Sequence, residues 1–342
     1  MQAVGGYPEP VPGAEAIAHD ALRARIDHEL VGFLLGQRTE LETEQPEGVA
    51  LVDELLRLVR SGGKRIRPAL CYWGSRAAGG QDDERIVRAA AALELLHTFA
   101  LVHDDVMDRS PTRRGVETTH ERFGGGSEVE SGAQTGVSIA ILVGDLAAVL
   151  ADRLFGAAGY EGEILQAARR RYDRMRVEMA VGQFLDLSSE AADEQIADRI
   201  SSLKTGSYTV EGPLQIGALL AGARIELLTA LSAYGRPLGE AFQVRDDLLG
   251  VLEGEADLWQ ERPSWIRARA RETLDPATFA RLQSAPADEA RSMLRSAGVL
   301  DAAADHADEL IADAMSALRH ADLAVEPAEA LREIAQLVGA RP

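Results

Sequence analysis

The stretch Leu93–Gly115, LELLHTFALVHDDVMDRSPTRRG, leaves few choices for the fold around it. An otherwise apolar helical run ends on three aspartates, and two arginines follow. Asp104, Asp105 and Asp108 stand at i, i+1 and i+4. At ~100° per residue Asp104 and Asp108 fall within about 40° of each other, one turn apart, with Asp105 on the flank of the same face. Three carboxylates held that close repel one another unless a cation sits among them. Oxygen donors on a rigid helix suit Mg²⁺, which keeps several waters and takes its remaining ligands from substrate phosphates. A solvated acidic helix end is the alternative for an arbitrary triplet, and here the neighbouring residues argue against it.

The rest of the chain favours helix. Alanine and leucine dominate, β-branched runs are scarce and aromatics make up 5% of 342 residues, so no alternating strand pattern and no fixed-period repeat emerge. The formal charge of −19 argues against nucleic acid or an anionic membrane as a partner through bulk electrostatics; an anionic substrate needs a local cluster of Lys and Arg. Cys71 is the one cysteine, which rules out an internal disulfide and a thiolate zinc site and fits a reducing cytoplasm. The start, MQAVGGYPEPVPG, has neither a basic nor an apolar leader region, so no secretory signal is expected. The apolar stretch Val137–Ala151 is too short to span a bilayer and contains Asp145.

Residues 1–13 read as a Gly- and Pro-rich tail, and 14–342 as a large all-α, single-domain helical bundle with a central cavity. The spacing predicts helices at about 14–38, 49–60, 65–74, 83–108, 131–157, 161–187, 192–220 and 226–252. Shorter helices follow to the end, among them 301–318. Polar or glycine-rich breaks are expected at 39–48, 61–63, 77–81 and 124–126.

A second acid pair, Asp246 and Asp247, lies in AFQVRDDLLGV, again inside an apolar helix. Two such pairs on core helices suggest carboxylates facing each other across a bundle cavity. Basic residues are grouped beside them in sequence: Lys64, Arg65 and Arg67 follow the Gly62-Gly63 turn, and Arg113 and Arg114 follow the first acid cluster. Guanidinium groups hold phosphate oxygens bidentately and lysine supplies a compact charge. Arg65 also suits a plain surface role, because its spacing points it away from Lys64 and Arg67.

GGKRIRP, HTFALVHDDVMDRSPTRRG, GQFLDL, LKTG and FQVRDD, in that order, resemble the trans-polyprenyl diphosphate synthase family, and in motif most of all its short-chain geranylgeranyl diphosphate synthases. The resemblance is strong over about 14–252 and loose beyond. It implies an isoprenoid-synthase fold, a dimer (a homodimer, with a heterodimer as the alternative) and an Mg²⁺-dependent prenyltransferase. Such an enzyme condenses isopentenyl diphosphate with an allylic diphosphate. In that family pattern Asp104, Asp108 and Asp246 hold metal, three ions in all with diphosphate bound, and Asp105 assists. Arg113 holds the allylic diphosphate. Lys64, Arg67, His97 and Arg114 match the isopentenyl diphosphate ligands. Lys204, Thr205 and Gln243 match residues that cover the allylic diphosphate and the developing cation.

Phe99, five residues before Asp104 and so about 7.5 Å up the helix axis, is placed to act as a floor for the growing tail, with small Ala100 beside it. This resembles synthases with C20 products and implies a C15 to C20 product. The pattern breaks after Asp247. The family continues with a glycine-lysine, an acidic segment and an EGK element, whereas this chain reads GVLEGEADLWQERPSWIRARARE, and no lysine follows Lys204. Three readings follow: an active synthase in which Arg262, Arg267 or Arg269 replaces the lysines, a non-catalytic or modulatory subunit, and a class I terpene cyclase. A cyclase has no use for Lys64, Arg67, His97 and Arg114.

Overall fold

A computed structural model describes residues 14–113, 115–125, 130–189, 194–254, 259 and 262–340; the expected tail and Arg114 lie outside them. Among the described residues all regular structure is helical except for one short hairpin. They form two compact units, one of residues up to Arg65 with Leu95–Asp152, the other of Ile66–Glu94 with residues from Arg153 onward.

In the first unit, α1 (Ala14–Glu44) packs on α2 (Val49–Arg60). The period-four stripe Leu22, Ile26, Leu30 and Leu34 is buried on α1, and Val52, Leu55, Leu56 and Val59 are buried on α2, as amphipathic spacing requires. The break expected from residue 39 does not occur before Glu44. Thr39 and Thr43 donate their hydroxyls back to the carbonyls of Leu35 and Thr39, and Arg38 bonds Asp53 and Glu42. The polar residues therefore line a solvated face of a continuing helix. Pro46, at the start of a 3₁₀ turn, marks where it stops.

The second unit begins with α3 (Ile66–Ala77), which has Pro68 in its first turn. α4 (Glu84–Met107) starts in this unit and ends in the first. After β1 (Thr112–Arg113), β2 (Val116–Glu117) and α5 (Thr119–Gly124), the first unit is completed by most of α6 (Glu130–Gly156). The hairpin and α5 are too short for periodicity to register. α4 is long and apolar enough to cross a membrane by length and composition, but 67% of that window is buried in the protein.

The second unit continues with α7 (Gly162–Ser188) and α8 (Glu194–Ile200), then a π-helical segment Ser201–Glu211, α9 (Gly212–Leu220) and α10 (Ile225–Glu253). The helix expected over 192–220 is thus one helical path whose middle is wound as a π-helix, a form that concentrates at functional sites. Beyond it lie α11 (Trp265–Thr273), α12 (Pro276–Gln283), α13 (Ala287–Ser296), α14 (Val299–His320) and α15 (Val325–Gly339). Val244, Leu248 and Val251 of α10 share one buried cluster with Trp259, Ile266, Leu294 and Val299. That packing fixes the face of α10 carrying Gln243 and Asp247.

Candidate active site

In the first unit the acid cluster closes α4. Asp105 is buried, 4% exposed, and Arg113 on β1 donates from Nε to its Oδ1 at 2.5 Å, while Arg113 Nη2 lies 3.6 Å from Asp104 Oδ2. Burial raises the Asp105 pKa, Arg113 opposes that, and the charge of Asp104 adds to it. Asp104 and Asp108 are only partly covered, and the Asp108 N–H donates to the Asp104 carbonyl. The arginine reaches back because the hairpin is tied down: Ser110 N–H donates to the Asp105 carbonyl, Thr118 donates its hydroxyl to Ser110, and Gly115 turns the chain at φ +76°. His97, Phe99 and Ala100 are half-buried on the same helix.

The GGKR turn separates the roles of its three cations. Gly62 has φ +89°, which a side chain tolerates poorly, and Lys64 after it is exposed. Arg65 is not a surface residue: 4% exposed, it donates to Asp27 Oδ1 and to the Val59 carbonyl, each at 2.7 Å. It braces the turn from a left-handed conformation, φ +51°. Arg65→Ala removes those bonds and is expected to cost about 2 kcal/mol, the Asp27 share being discounted for exposure. Arg65→Gly, free of the ~1 kcal/mol left-handed penalty, should lose less. Thermal melts of the two variants check the order. In the second unit, Arg67 donates to Thr209 Oγ1 at 2.7 Å and lies over the Tyr208 ring.

The second unit carries a polar cleft of about 60 Å³ between α7, α8, the π-helical segment, α10 and the start of α11. Lys204 donates from Nζ to Asp186 Oδ2 at 2.7 Å. Thr205 donates its hydroxyl to Gln243 Oε1, and Gln243 Nε2 donates to Asp247 Oδ1 at 2.6 Å. Lys204 and Gln243, singled out separately in the sequence, thus line one cleft, and Thr205 is bonded to Gln243 beside it. α7 comes close enough because Gly182 is bare where a Cβ would press on the Lys204 backbone. Asp247 lines the cleft, and burial, with the charges of Asp246 and Asp186, pushes its pKa up to about 7. Asp246 is exposed and does not line the cleft.

Three further carboxylates, Asp186, Asp198 and Glu240, line this cleft without having been picked out. Asp186 had a signal in the sequence, the acid within GQFLDL. The other two lie in ordinary polar helix faces and gave none. Among the described arginines after Asp247, only Arg262 lines the cleft. Arg267 is 5% exposed with its N–H bonded to Ser264, and exposed Arg269 pairs with Glu272.

These donor sets suit magnesium. All are carboxylate oxygens, hard donors matched to Mg²⁺. No group of three or more His, Cys, Asp or Glu residues among the described ones closes into a cage.

The polyprenyl synthetase family pattern matches residues 50–293, most of the chain, including every motif described above. This chain belongs to the polyprenyl synthetase family. The geranylfarnesyl diphosphate synthase of Aeropyrum pernix is 34% identical over 66% of either chain. The geranylgeranyl diphosphate synthase of Sulfolobus acidocaldarius is 34% identical over 72% of either chain. The crystal structure of geranylgeranyl pyrophosphate synthase from Corynebacterium glutamicum, complexed with isoprenyl diphosphate and magnesium, superposes with a TM-score of 0.85. It is 29% identical and covers 95% of this chain and 99% of its own. The family match ends at residue 293 and so includes the departing segment with Arg262.

Proposed function

We propose that the chain is a magnesium-dependent prenyltransferase that joins isopentenyl diphosphate to an allylic diphosphate and releases a C15 to C20 polyprenyl diphosphate. The observation that carries this reading is the second unit's arrangement of motif residues: Lys204 pairs with Asp186, and Thr205, Gln243 and Asp247 are linked in a chain beside it. None of the relatives named above is a cyclase or a non-catalytic subunit. Residues 14–342 are read as one functional domain.

Asp104, Asp108 and Asp246 would hold magnesium, up to three ions. Bound magnesium supplies the charge sink that lets the diphosphate leave. Lys204 and Arg113 donate to the allylic diphosphate as its C–O bond breaks, the electron pair going to the departing oxygen. Asp186 and Asp105 orient those two cations. Lys64, Arg67, His97 and Arg114 hold isopentenyl diphosphate. Its alkene attacks the allylic carbon, and the proton lost from the new bond's neighbour passes to the released diphosphate. Thr205 and Gln243 present oxygens to the developing cation, and no side-chain base is required. Arg262 takes the place of the missing lysines, because it lines the cleft that Lys204 and Asp247 share. Phe99, with Ala100, limits the tail.

We place the enzyme in the cytoplasm, with no nucleic-acid partner, as a homodimer rather than a heterodimer. Support for the dimer is the exposed apolar stripe Val177, Val181 and Phe184 on α7. Light scattering that returns the 36.7 kDa monomer mass would overturn it. The reading itself is tested by incubating purified protein with Mg²⁺, isopentenyl diphosphate and dimethylallyl, geranyl or farnesyl diphosphate in turn. Extended diphosphates identified by mass are expected. A hydrocarbon formed from the allylic substrate alone, or no turnover with any starter, defeats it.

A further inference from the structure

The Phe99 ring does not stand alone. On an ideal helix Phe99 lies about 140° round from Asp104, whereas Ala100 lies about 40° from it. The ring meets His103 edge-on, centroids 4.8 Å apart with 68° between planes. His103 in turn is held by α6, in the same unit: its Nε2–H donates to the Ile141 carbonyl at 3.1 Å. Its ring occupies the space a Cβ at Gly144 would fill. Asp145 Oδ1 stands 3.9 Å from the same nitrogen.

We infer that product length is set by a three-part stop, Phe99, His103 and Gly144, in which His103 and Gly144 are positioning residues acting through the phenyl ring. The inference rests on the reading that Phe99 is the floor. A phenylalanine has two rotatable side-chain bonds and moves between rotamers unless a neighbour blocks it. Here an edge-to-face contact four residues on, within one helical turn, blocks it. The blocking ring is itself held, because its nitrogen is bonded to α6 and its Nε2–Cδ2 edge sits where Gly144 lacks a side chain. The depth at which the tail is stopped is therefore a property of how closely α4 and α6 approach. Gly144 fixes that approach without touching either diphosphate.

The test is a coupling cycle read in product lengths. Wild type, Phe99→Ala, Gly144→Ala, His103→Gln and both double variants with Phe99→Ala are supplied with isopentenyl and geranyl diphosphates, and the products are weighed. Phe99→Ala should add at least one C5 unit. Gly144→Ala and His103→Gln should each change the ratio of the two longest products by about five-fold or more. In the Phe99→Ala background both should be without further effect, since residues acting through a shared partner are not additive. Glutamine keeps a donor for Ile141 while removing the ring, so His103→Gln decides the matter if Gly144→Ala fails to fold. Wild-type product ratios in both single variants, alongside a lengthened product from Phe99→Ala, overturn the three-part stop. Equal effects in both backgrounds overturn it too. An unchanged product from Phe99→Ala defeats the floor reading first, and the stop with it.

Discussion

Asp104→Ala is expected to lower the rate of chain extension by about 10³-fold or more, since a metal's stabilisation of a leaving group is worth several kcal/mol and each ~1.4 kcal/mol is a factor of ten. The loss should fall on kcat. Lys64 and Arg67, assigned to isopentenyl diphosphate, are untouched, so its KM should change little. Asp105→Ala is the informative contrast. Asp105 is buried and bonded to Arg113, so its loss should release Arg113 and raise the KM of the allylic substrate more than it lowers kcat. Chelation of magnesium should silence wild type and both variants alike, reversibly. Circular dichroism separates these effects from unfolding. Asp104→Ala protein that retains its helicity and the wild-type rate would sink the metal assignment.

That contrast between adjacent aspartates was not legible in the sequence, where spacing alone put both on one face. What spacing conveys is the helix and its end. The period of apolar residues and the scarcity of β-branched runs place α2, α4, α6 and α10 within a residue or so of where they lie. It fails where polar side chains bond along their own helix, as Thr39 and Thr43 do. It fails again where an element is shorter than its period, as in the Thr112–Glu117 hairpin that returns Arg113 to Asp105. Arg65 is the instructive misreading. A basic residue among basic residues suggests a solvated charge, yet the left-handed turn drives it inward to Asp27 and Val59. Burial of a single guanidinium depends on backbone direction, which no periodicity encodes.

Arg262 carries the second large effect. Of the 36 Lys and Arg side chains only Lys64 and Lys204 are lysine, so a third cation at the diphosphate must be an arginine. Lys204 is already committed to Asp186 at 2.7 Å, and the same cleft holds Asp198, Glu240 and Asp247. Such a cleft repels a diphosphate unless further positive charge faces it, and within it that charge is Arg262. Arg262→Ala is expected to raise the KM of the allylic diphosphate by about 10- to 100-fold, the loss of one charge-assisted contact worth roughly 1.5–3 kcal/mol. Isopentenyl diphosphate should be nearly unaffected. Arg262→Lys should recover much of the loss if charge is what matters, and little if the planar fork is needed. Arg269→Ala, whose side chain pairs with Glu272 in solvent, should behave as wild type. Steady-state kinetics with geranyl diphosphate varied at saturating isopentenyl diphosphate decide it. An unchanged KM in Arg262→Ala would mean that the segment after Asp247 has lost its diphosphate grip, and that Lys204 and the metals hold the allylic substrate by themselves.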